Sequence, residues 1–482
     1  MQKKSKKPII FCNCYKKSLS LQQIFKARKV KKYLLAIVLL AYMTGAAWAQ
    51  SETKQELNVY AKNGLVKFES ADGKYLFRMG GRLLIDGAHY FNDYTVRGSG
   101  ARFGEARIRM YGTLGEKLDA KFDVDLAPSR PILRDVFLRW HTNPSGFVMV
   151  GNFIEPFSPE DVQSLFDYAF ITNTATVEAL GTGRSLGISY RYYHPNFWGE
   201  AGVFSQKVTA EPKPGNMGYA LSTRLLGRIE APDFNLHMGG SLNYRRPDAA
   251  GFTNGSDRYN RYVTPASILE SCVDKTQMLG GVINHVKSTF KYAVDIMASY
   301  RHFFVTGEYI HAKNIRVRDW EYDYRGIPAS IATIAPTLET YKTLCGEDTP
   351  VQLSGYTVQA GYIILGGNYQ YNQVDALMGH ADAGTLELVA RYNHTDLNDM
   401  KGGIFHDGRF YDTPLNISLG LANGTYVGGM VNSYTIGLNY YFTKYVIAKI
   451  NYGYQKLNQA YNVNFQQDKK LQSIQARLAI EF

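Results

Sequence analysis

The sequence of 482 residues contains no apolar run long enough to cross a membrane as a helix. A helical span needs about 20 mainly apolar residues, and the stretch Tyr33–Met43 is too short. The chain also lacks the G-x-S-x-G and H-E-x-x-H motifs of hydrolases and the acid spacing of an EF-hand calcium loop. These absences exclude a helical membrane protein and give no support to an enzyme, a metal site or a cofactor, so none is predicted.

Acidic residues are missing from the amino terminus. Residues 1–32 contain eleven Lys or Arg and no Asp or Glu, the apolar stretch follows, and Ala47-Trp48-Ala49 places small residues at a cleavage point before Gln50. This order is typical of a secretory signal peptide. We therefore expect residues 1–49 to be an export leader and residues 50–73 to be an N-terminal periplasmic segment.

The chain has little excess charge once this leader is set aside. The full sequence has 54 basic and 42 acidic residues, and eleven of the basic residues lie in the leader. The formal net charge of +12 therefore does not indicate binding to nucleic acid. Cys272 and Cys345 are the cysteines outside the leader, and they form either one disulfide or two free thiols.

An alternation of apolar and polar residues is what the sequence has in abundance. In the last segment, Ile474, Ala476 and Leu478 alternate with more polar neighbours, and successive side chains of a strand point to opposite faces. Roughly sixteen segments show such alternation: 74–90, 101–114, 118–127, 131–142, 146–154, 184–194, 197–207, 218–231, 233–246, 287–300, 303–315, 354–365, 384–396, 430–442, 444–457 and 470–482.

Short turns alternate with long connections between these segments, the longest at 247–286, 316–353 and 397–429. An even strand number and this asymmetry are typical of bacterial outer-membrane barrels. Tyr and Phe near strand ends suit a membrane interface. We predict an all-β fold, a 16-stranded antiparallel transmembrane β-barrel over 74–482 in the outer membrane of a Gram-negative type of cell. A soluble β-sandwich is the disfavoured alternative.

The same parity turns a set of basic side chains toward the barrel interior. Guanidinium groups replace part of the water shell of phosphate or carboxylate, and rings of Arg or Lys build anion pores. The alternative is that these cations pair with acids across the wall, as Arg109 with Asp123 or Arg139 with Asp135. The inward set predicted by parity is Arg78, Arg82, Arg107, Arg109, Lys121, Arg139, Arg191, Arg224 and Arg228, with Arg245, Arg391, Lys449 and Arg477.

Five motifs occur in order in the first part of the chain: GGRLLIDG at 80–87, EARIRMYG at 105–112, DVFLRW at 135–140, GNFIEPFS at 151–158 and GRSLGI at 183–188. This series resembles the phosphate-selective porin O and P family, closely over 74–246 and more weakly beyond. The resemblance implies a sixteen-stranded porin, usually a homotrimer, whose third long loop folds inward as a constriction, here 155–183. It also implies that Arg82, Arg107, Arg139 and Arg184 line a channel for phosphate or other anions.

One departure from the family lies at Gly104-Glu105, where the family often has two adjacent arginines. An acidic side chain there weakens a tight phosphate site by like-charge repulsion. We therefore predict a water-filled channel for passive diffusion of small inorganic or organic anions, with phosphate specificity left open. A non-selective general porin is the first alternative.

Two further classes have weaker support. His394 with Asp396, or His406 with Asp407, would give a hydrolase site, but adjacent or alternate residues on a strand do not converge. Loop 316–353 suits a surface-binding or adhesion barrel because it carries Arg316, Arg318, Trp320, Tyr322, Tyr324 and Arg325. The expected partners are small anions, outer-membrane lipid and two further copies of the chain, with no nucleic acid.

Overall fold

The structure is a computed structural model that describes residues 57–62, 65–91, 97–205, 215–250, 261–317, 320–327, 329–345, 349–379, 381–400, 404–406, 409–411, 425–457 and 470–482. The proposed leader and its cleavage site lie outside these residues. Asn58–Phe482 forms one compact unit. No helix in the described ranges is long and apolar enough to cross a membrane.

The main sheet has eighteen strands. They are β1 Leu57–Lys62, β2 Leu65–Ser70, β3 Tyr75–Tyr90, β4 Gly100–Leu114, β5 Leu118–Asp125, β6 Ile132–Asn143, β7 Gly146–Ile154, β8 Arg184–His194, β9 Phe197–Phe204, β10 Tyr219–Ala231, β11 Phe234–Arg246, β12 Val286–Tyr300, β13 Phe303–Arg316, β14 Val351–Leu365, β15 Thr385–Met400, β16 Thr425–Thr443, β17 Val446–Leu457 and β18 Lys470–Glu481.

Sixteen of these strands, β3 to β18, close into an antiparallel barrel. Each pairs with the next along the chain, and β18 pairs with β3 from Ser473 opposite Tyr90 to Glu481 opposite Arg82. Closure leaves no open sheet edge within the barrel wall. The hydrocarbon core of a membrane requires this, because it offers no partners for unpaired backbone groups. The predicted fold is confirmed, and each of the sixteen predicted segments corresponds to one barrel strand.

The alternation of side chains also follows the prediction. In β18, Ile474 and Leu478 are 39% and 38% exposed on the outer face, whereas Gln475 and Arg477 are buried on the inner face. Tyrosine rings of neighbouring strands meet on the outer face, as where Tyr392 and Tyr434 lie 5.0 Å apart. Such rings are typical of the interfacial belt of a membrane barrel.

Strands β1 and β2 form a hairpin that the sequence pattern did not reveal. β2 pairs with β3 from Val66 opposite Met79 to Glu69 opposite Leu76. β2 pairs with the part of β3 that lies just beyond the end of β18. The two pairings meet at Gly81, whose N–H donates to the Phe482 carbonyl over 2.6 Å. These two strands lie within 50–73, the segment predicted to be N-terminal and periplasmic, and they add to the sheet.

The long connection 155–183 contacts inward-facing side chains of several strands. It contains α1 Pro159–Val162 and α2 Ala175–Leu180. Ser158 Oγ donates to Glu308 over 2.9 Å, Lys449 Nζ donates to the Phe166 carbonyl over 2.9 Å, and Arg477 donates to the Ile171 carbonyl over 2.6 Å. The contacted residues lie on β13, β17 and β18. The connection 155–183 therefore fills the half of the barrel interior that these strands enclose.

Segment 261–285 fills the same half from the same end. It has two short ladders, Tyr262–Val263 with Ile283–Asn284 and Ala266–Ser267 with Leu279–Gly280. Glu270 accepts from Arg391 over 2.6 Å. Cys272 is a buried free thiol whose amide donates to Gln475 over 2.7 Å. The structure therefore has no disulfide at Cys272, and the side chain of Cys345 lies outside the described residues.

Segment 366–384 enters from the opposite end, where the other connections between barrel strands are short turns. It carries the ladder Tyr371–Asn372 with Leu377–Met378. Trp198 Nε1 donates to the Val374 carbonyl over 2.8 Å, and Gln163 Nε2 donates to the Met378 carbonyl over 2.7 Å. No pattern in the sequence predicts this insertion.

Two further connections complete the described elements. Loop 317–350 carries α3 Trp320–Arg325, α4 Ala329–Ile334 and α5 Leu338–Cys345. A small cluster holds these helices together, with Ile331, Ala335 and Tyr341 buried against Trp320 and Tyr324. The ladder Ile404–His406 with Arg409–Tyr411 lies in the connection between β15 and β16.

Candidate functional site

An open cavity of about 1310 Å³ occupies the half of the barrel that the inserted segments leave free. Its wall is formed by β3 to β8, and its opposite side by residues of 155–183 and 366–384. Eleven Arg or Lys and six Asp or Glu are among its lining residues. The lining therefore carries an excess of positive charge, although the chain outside the proposed leader is nearly neutral.

The structure places eight of the ten predicted site residues in this lining: Arg78, Arg82, Arg107, Arg109, Lys121, Arg139, Arg184 and Arg191. Arg224 and Arg228 also point inward but lie outside the lining. Arg224 pairs with Asp295 over 2.8 Å and is 1% exposed. Arg228 pairs with Glu230 over 3.2 Å and donates to the Gln373 carbonyl over 2.7 Å. These two arginines hold the wall and the inserted segment 366–384 instead of facing the open cavity.

Three lining arginines form a deep cluster with acids. Arg82 pairs with Glu105 over 2.6 Å, Arg107 pairs with Glu105 and lies 3.2 Å from Asp123, and Arg109 lies 3.6 Å from Asp123. Arg109 also pairs with Glu481 next to the carboxyl terminus. All three guanidinium groups belong to residues that are at most 8% exposed. Their charges are compensated within the wall.

A second group is more accessible and less compensated. Lys121 Nζ lies 2.7 Å from Asp135 Oδ2 and Arg184 Nε lies 2.8 Å from Asp135 Oδ1. The side chains of Lys121 and Arg184 are 19% and 22% exposed. Two cations thus share one carboxylate. Arg78 lies beside them, with its guanidinium carbon 4.3 Å from the centre of the Tyr111 ring that Lys121 also faces.

The predicted wall pairs are partly present. Arg109 contacts Asp123, as one alternative expected. Arg139 does not pair with Asp135, because its partner is Asp119 at 3.0 Å, which also contacts His141 at 2.7 Å. Arg139 and Asp119 are opposite each other on β6 and β5, and directly opposed residues are the ones whose side chains meet in an antiparallel sheet. That expectation was therefore wrong.

Several lining residues were missed by the sequence prediction. Arg102, Arg134 and Lys275 line the cavity, as do Asp161, Asp167 and Asp375. Arg102 precedes a β-bulge that changes the parity of β4, so simple alternation does not find it. Lys275 and Asp375 belong to inserted loops, for which alternation has no meaning. Arg78 and Arg102 form no ion pair within the part of the chain that the structure describes.

Of the two His–Asp pairs considered for catalysis, the structure describes the side chains of His394 and Asp396 only. His394 Nδ1 lies 2.9 Å from Asn432 Oδ1 on the neighbouring strand. Asp407 and the side chain of His406 lie outside the described residues. In the described ranges, no group of three or more His, Cys, Asp or Glu side chains is arranged to hold a metal ion.

Comparison with known proteins gives a family match over most of the chain. The sequence model of the family described as phosphate-selective porin O and P matches residues 77–482. An uncharacterized protein of Caulobacter vibrioides is 23% identical over 320 residues, which are 63% of this chain and 57% of that protein. The match thus spans little more than half of that relative's length.

Two solved proteins are similar in structure. A loop L8 deletion mutant of OmpT from Vibrio cholerae matches with 12% identity and a TM-score of 0.49, over 85% of this chain and all of that one. An anion-selective porin from Comamonas acidovorans matches with 13% identity and a TM-score of 0.46, over 85% of this chain and all of that one.

Proposed function

Because the chain belongs to the phosphate-selective porin O and P family and is an outer-membrane porin, we propose that it passes small anions by passive diffusion through the cavity beside β3 to β8. The observation that carries the proposal is the excess of Arg and Lys over Asp and Glu in the lining. A water-filled lumen with a positively charged lining raises the local concentration of anions and lowers that of cations.

Lys121, Arg184 and Arg78 are the residues proposed to meet the solute. Lys121 and Arg184 together carry one more charge than Asp135 neutralises, and both keep exposed surface in the cavity. An anion that approaches them exchanges part of its water shell for N–H donors. Asp135 neutralises part of the positive charge of Lys121 and Arg184, so the solute binds weakly enough to leave.

The loop 155–183 is proposed to set the narrowest part of the path. Its residues Asp161, Gln163 and Ser164 face the cavity opposite the basic wall. Ser164 Oγ accepts from Arg82, which connects the loop to β3. We further propose that residues 1–49 are the export leader, that outer-membrane lipid covers the apolar outer face, and that the protein assembles as a homotrimer.

A non-selective general porin is the second candidate. The observation that favours it is the pairing of Arg82, Arg107 and Arg109 with Glu105, Asp123 and Glu481. If these pairs cancel all of the useful charge, size alone decides what passes. The two candidates differ in whether the remaining cations govern ion selectivity.

The test is the double substitution Lys121→Gln and Arg184→Gln, measured in planar bilayers under a salt gradient. We expect the ratio of chloride to potassium permeability to fall by at least about threefold, because two unit charges near the ion path are removed. The matched control is Arg301→Gln with Lys444→Gln, which removes two cations from turns outside the cavity lining. An unchanged ratio in the first variant would favour the general porin.

A further inference from the structure

Glu105 owes its position to a β-bulge in β4. The pairing of β3 with β4 shifts between Leu84 and Ile85, where Leu84 opposes Glu105 and Ile85 opposes Phe103. Gly104 is the extra residue. A bulge redirects the side chains next to it, and the missing Cβ of Gly104 leaves room for the Asp86 carboxylate, which a side chain at 104 would strike. Asp86 in turn pairs with Arg477 over 2.6 Å.

From this position Glu105 engages two arginines at once. One carboxylate oxygen lies 2.6 Å from Arg82, and the other accepts from Arg107. Its side chain is 4% exposed. Asp123 lies on the neighbouring strand β5 and contacts both Arg107 and Arg109. Without Glu105, the donors of Arg82 and Arg107 that face this carboxylate would be free for another acceptor.

We propose that Glu105 is a specificity-determining residue that prevents Arg82 and Arg107 from forming a tight site for multiply charged oxyanions. The inference rests on the proposed anion channel and names its solutes as small, singly charged anions that pass without prolonged binding. A multiply charged oxyanion is repelled by the carboxylate and finds no adjacent pair of free guanidinium forks. A channel conducts well only when its solute leaves easily.

The test is Glu105→Gln, with inorganic phosphate added to chloride-conducting channels. The glutamine keeps the shape of the side chain and removes its charge. We expect the phosphate concentration that blocks half of the chloride current to fall by about tenfold or more, which corresponds to about 1.4 kcal/mol of added binding. Restoring the charge balance with Glu105→Gln and Arg107→Gln together should return the block toward the wild-type level.

Asp119→Asn is the matched comparison, because it also removes one acid that pairs with a lining arginine. This substitution should increase the preference for anions without creating phosphate block. Equal phosphate block in the Asp119 and Glu105 variants would overturn the proposal, since the effect would then follow total charge and not the position of Glu105.

The wild-type channel gives a second measurement that does not depend on assembly of the Glu105 variant. Dilute phosphate, at the concentrations that block half of the current in the Glu105→Gln variant, should leave most of the wild-type chloride current. Saturable block of the wild-type current by dilute phosphate would contradict the proposal while leaving anion selectivity intact. A wild-type preference for cations would instead contradict the proposed function.

Discussion

Gly81 is the residue at which the barrel closes on its own carboxyl terminus. The Phe482 ring lies against it, so that a Cβ on Gly81 would be 2.6 Å from Phe482 Cζ and 3.0 Å from the Arg107 carbonyl oxygen. Backbone hydrogen bonds join the two residues in both directions. The terminal aromatic residue therefore packs on a position that only glycine leaves free.

We predict that Gly81→Ala destabilises the assembled barrel by about 1–3 kcal/mol, the usual cost of overpacking a filled site. The measurement is heat modifiability: samples are heated to increasing temperatures before SDS gel electrophoresis, and the temperature at which the band of the folded barrel disappears is recorded. Gly227→Ala is the control, because the added Cβ would meet nothing within 4 Å. Equal stability of the two variants would show that the Phe482 ring moves aside at no cost.

The charged residues show how far single positions are predictable. Alternation indicated which side the arginines of regular strand stretches face, and this was right for the predicted inward set but not for Arg102. It does not fix the cross-strand register, so it could not say that Arg139 meets Asp119. Asp135, four residues away on the same strand, is about 13 Å distant along β6. The bulge at Gly104 was also beyond alternation, because a bulge changes the parity of the strand that contains it.

Helix α2 and the segment 261–285 meet through a buried acid. Glu178 accepts from Ser267 Oγ over 2.6 Å and from the Ile268 amide over 3.0 Å. Burial raises the pKa of Glu178 from 4.5 to about 7, with Glu270 adding to the rise and Lys275 opposing it. The folded protein therefore holds this proton more tightly than the unfolded chain does.

The contact between α2 and 261–285 should consequently weaken as pH rises. The stabilisation is complete below about pH 4.5 and is lost as pH increases through about 7, because folding retains a proton that the unfolded chain releases. Proteolysis of 261–285 in assembled channels should be faster at pH 8 than at pH 5. Glu178→Gln should remove this difference, whereas Glu339→Gln, on the separate helix α5, should keep it. A pH effect that survives in the Glu178 variant would contradict the assignment.

The elements differ in how well the sequence reveals them. The barrel strands were predictable because one face meets lipid and the other meets a polar interior, which enforces alternation. The segments 261–285 and 366–384 insert into the barrel through specific hydrogen bonds, such as those of Trp198 and Gln475. Such contacts join residues far apart in sequence and leave no local period.

At the scale of the whole molecule, the inserted segments divide the barrel into a filled half and an open half. The filled half contains a core in which Phe157, Val177 and Leu180 pack with Ile310 and Leu353. The open half is bounded by β3 to β8, where the charged pairs concentrate. This division explains why Arg228 and Arg391, though inward, do not face the cavity, because residues of the inserted segments accept their hydrogen bonds. Arg224 is instead held by Asp295 of the barrel wall.

We therefore expect the lining of the open half to decide which ion the channel prefers. Its lining has more basic than acidic residues even after the deep pairs of Arg82, Arg107 and Arg109 are formed. The apolar outer face and the closed sheet place this lining inside a membrane, where the low-dielectric wall strengthens its field.

The reversal potential of the wild-type protein in a planar bilayer, with potassium chloride concentrated on one side, tests this account most directly. We expect the sign that corresponds to chloride passing more readily than potassium, with the preference declining as the salt concentration rises and screens the lining. A reversal potential of the opposite sign, showing that potassium passes more readily, would contradict the account.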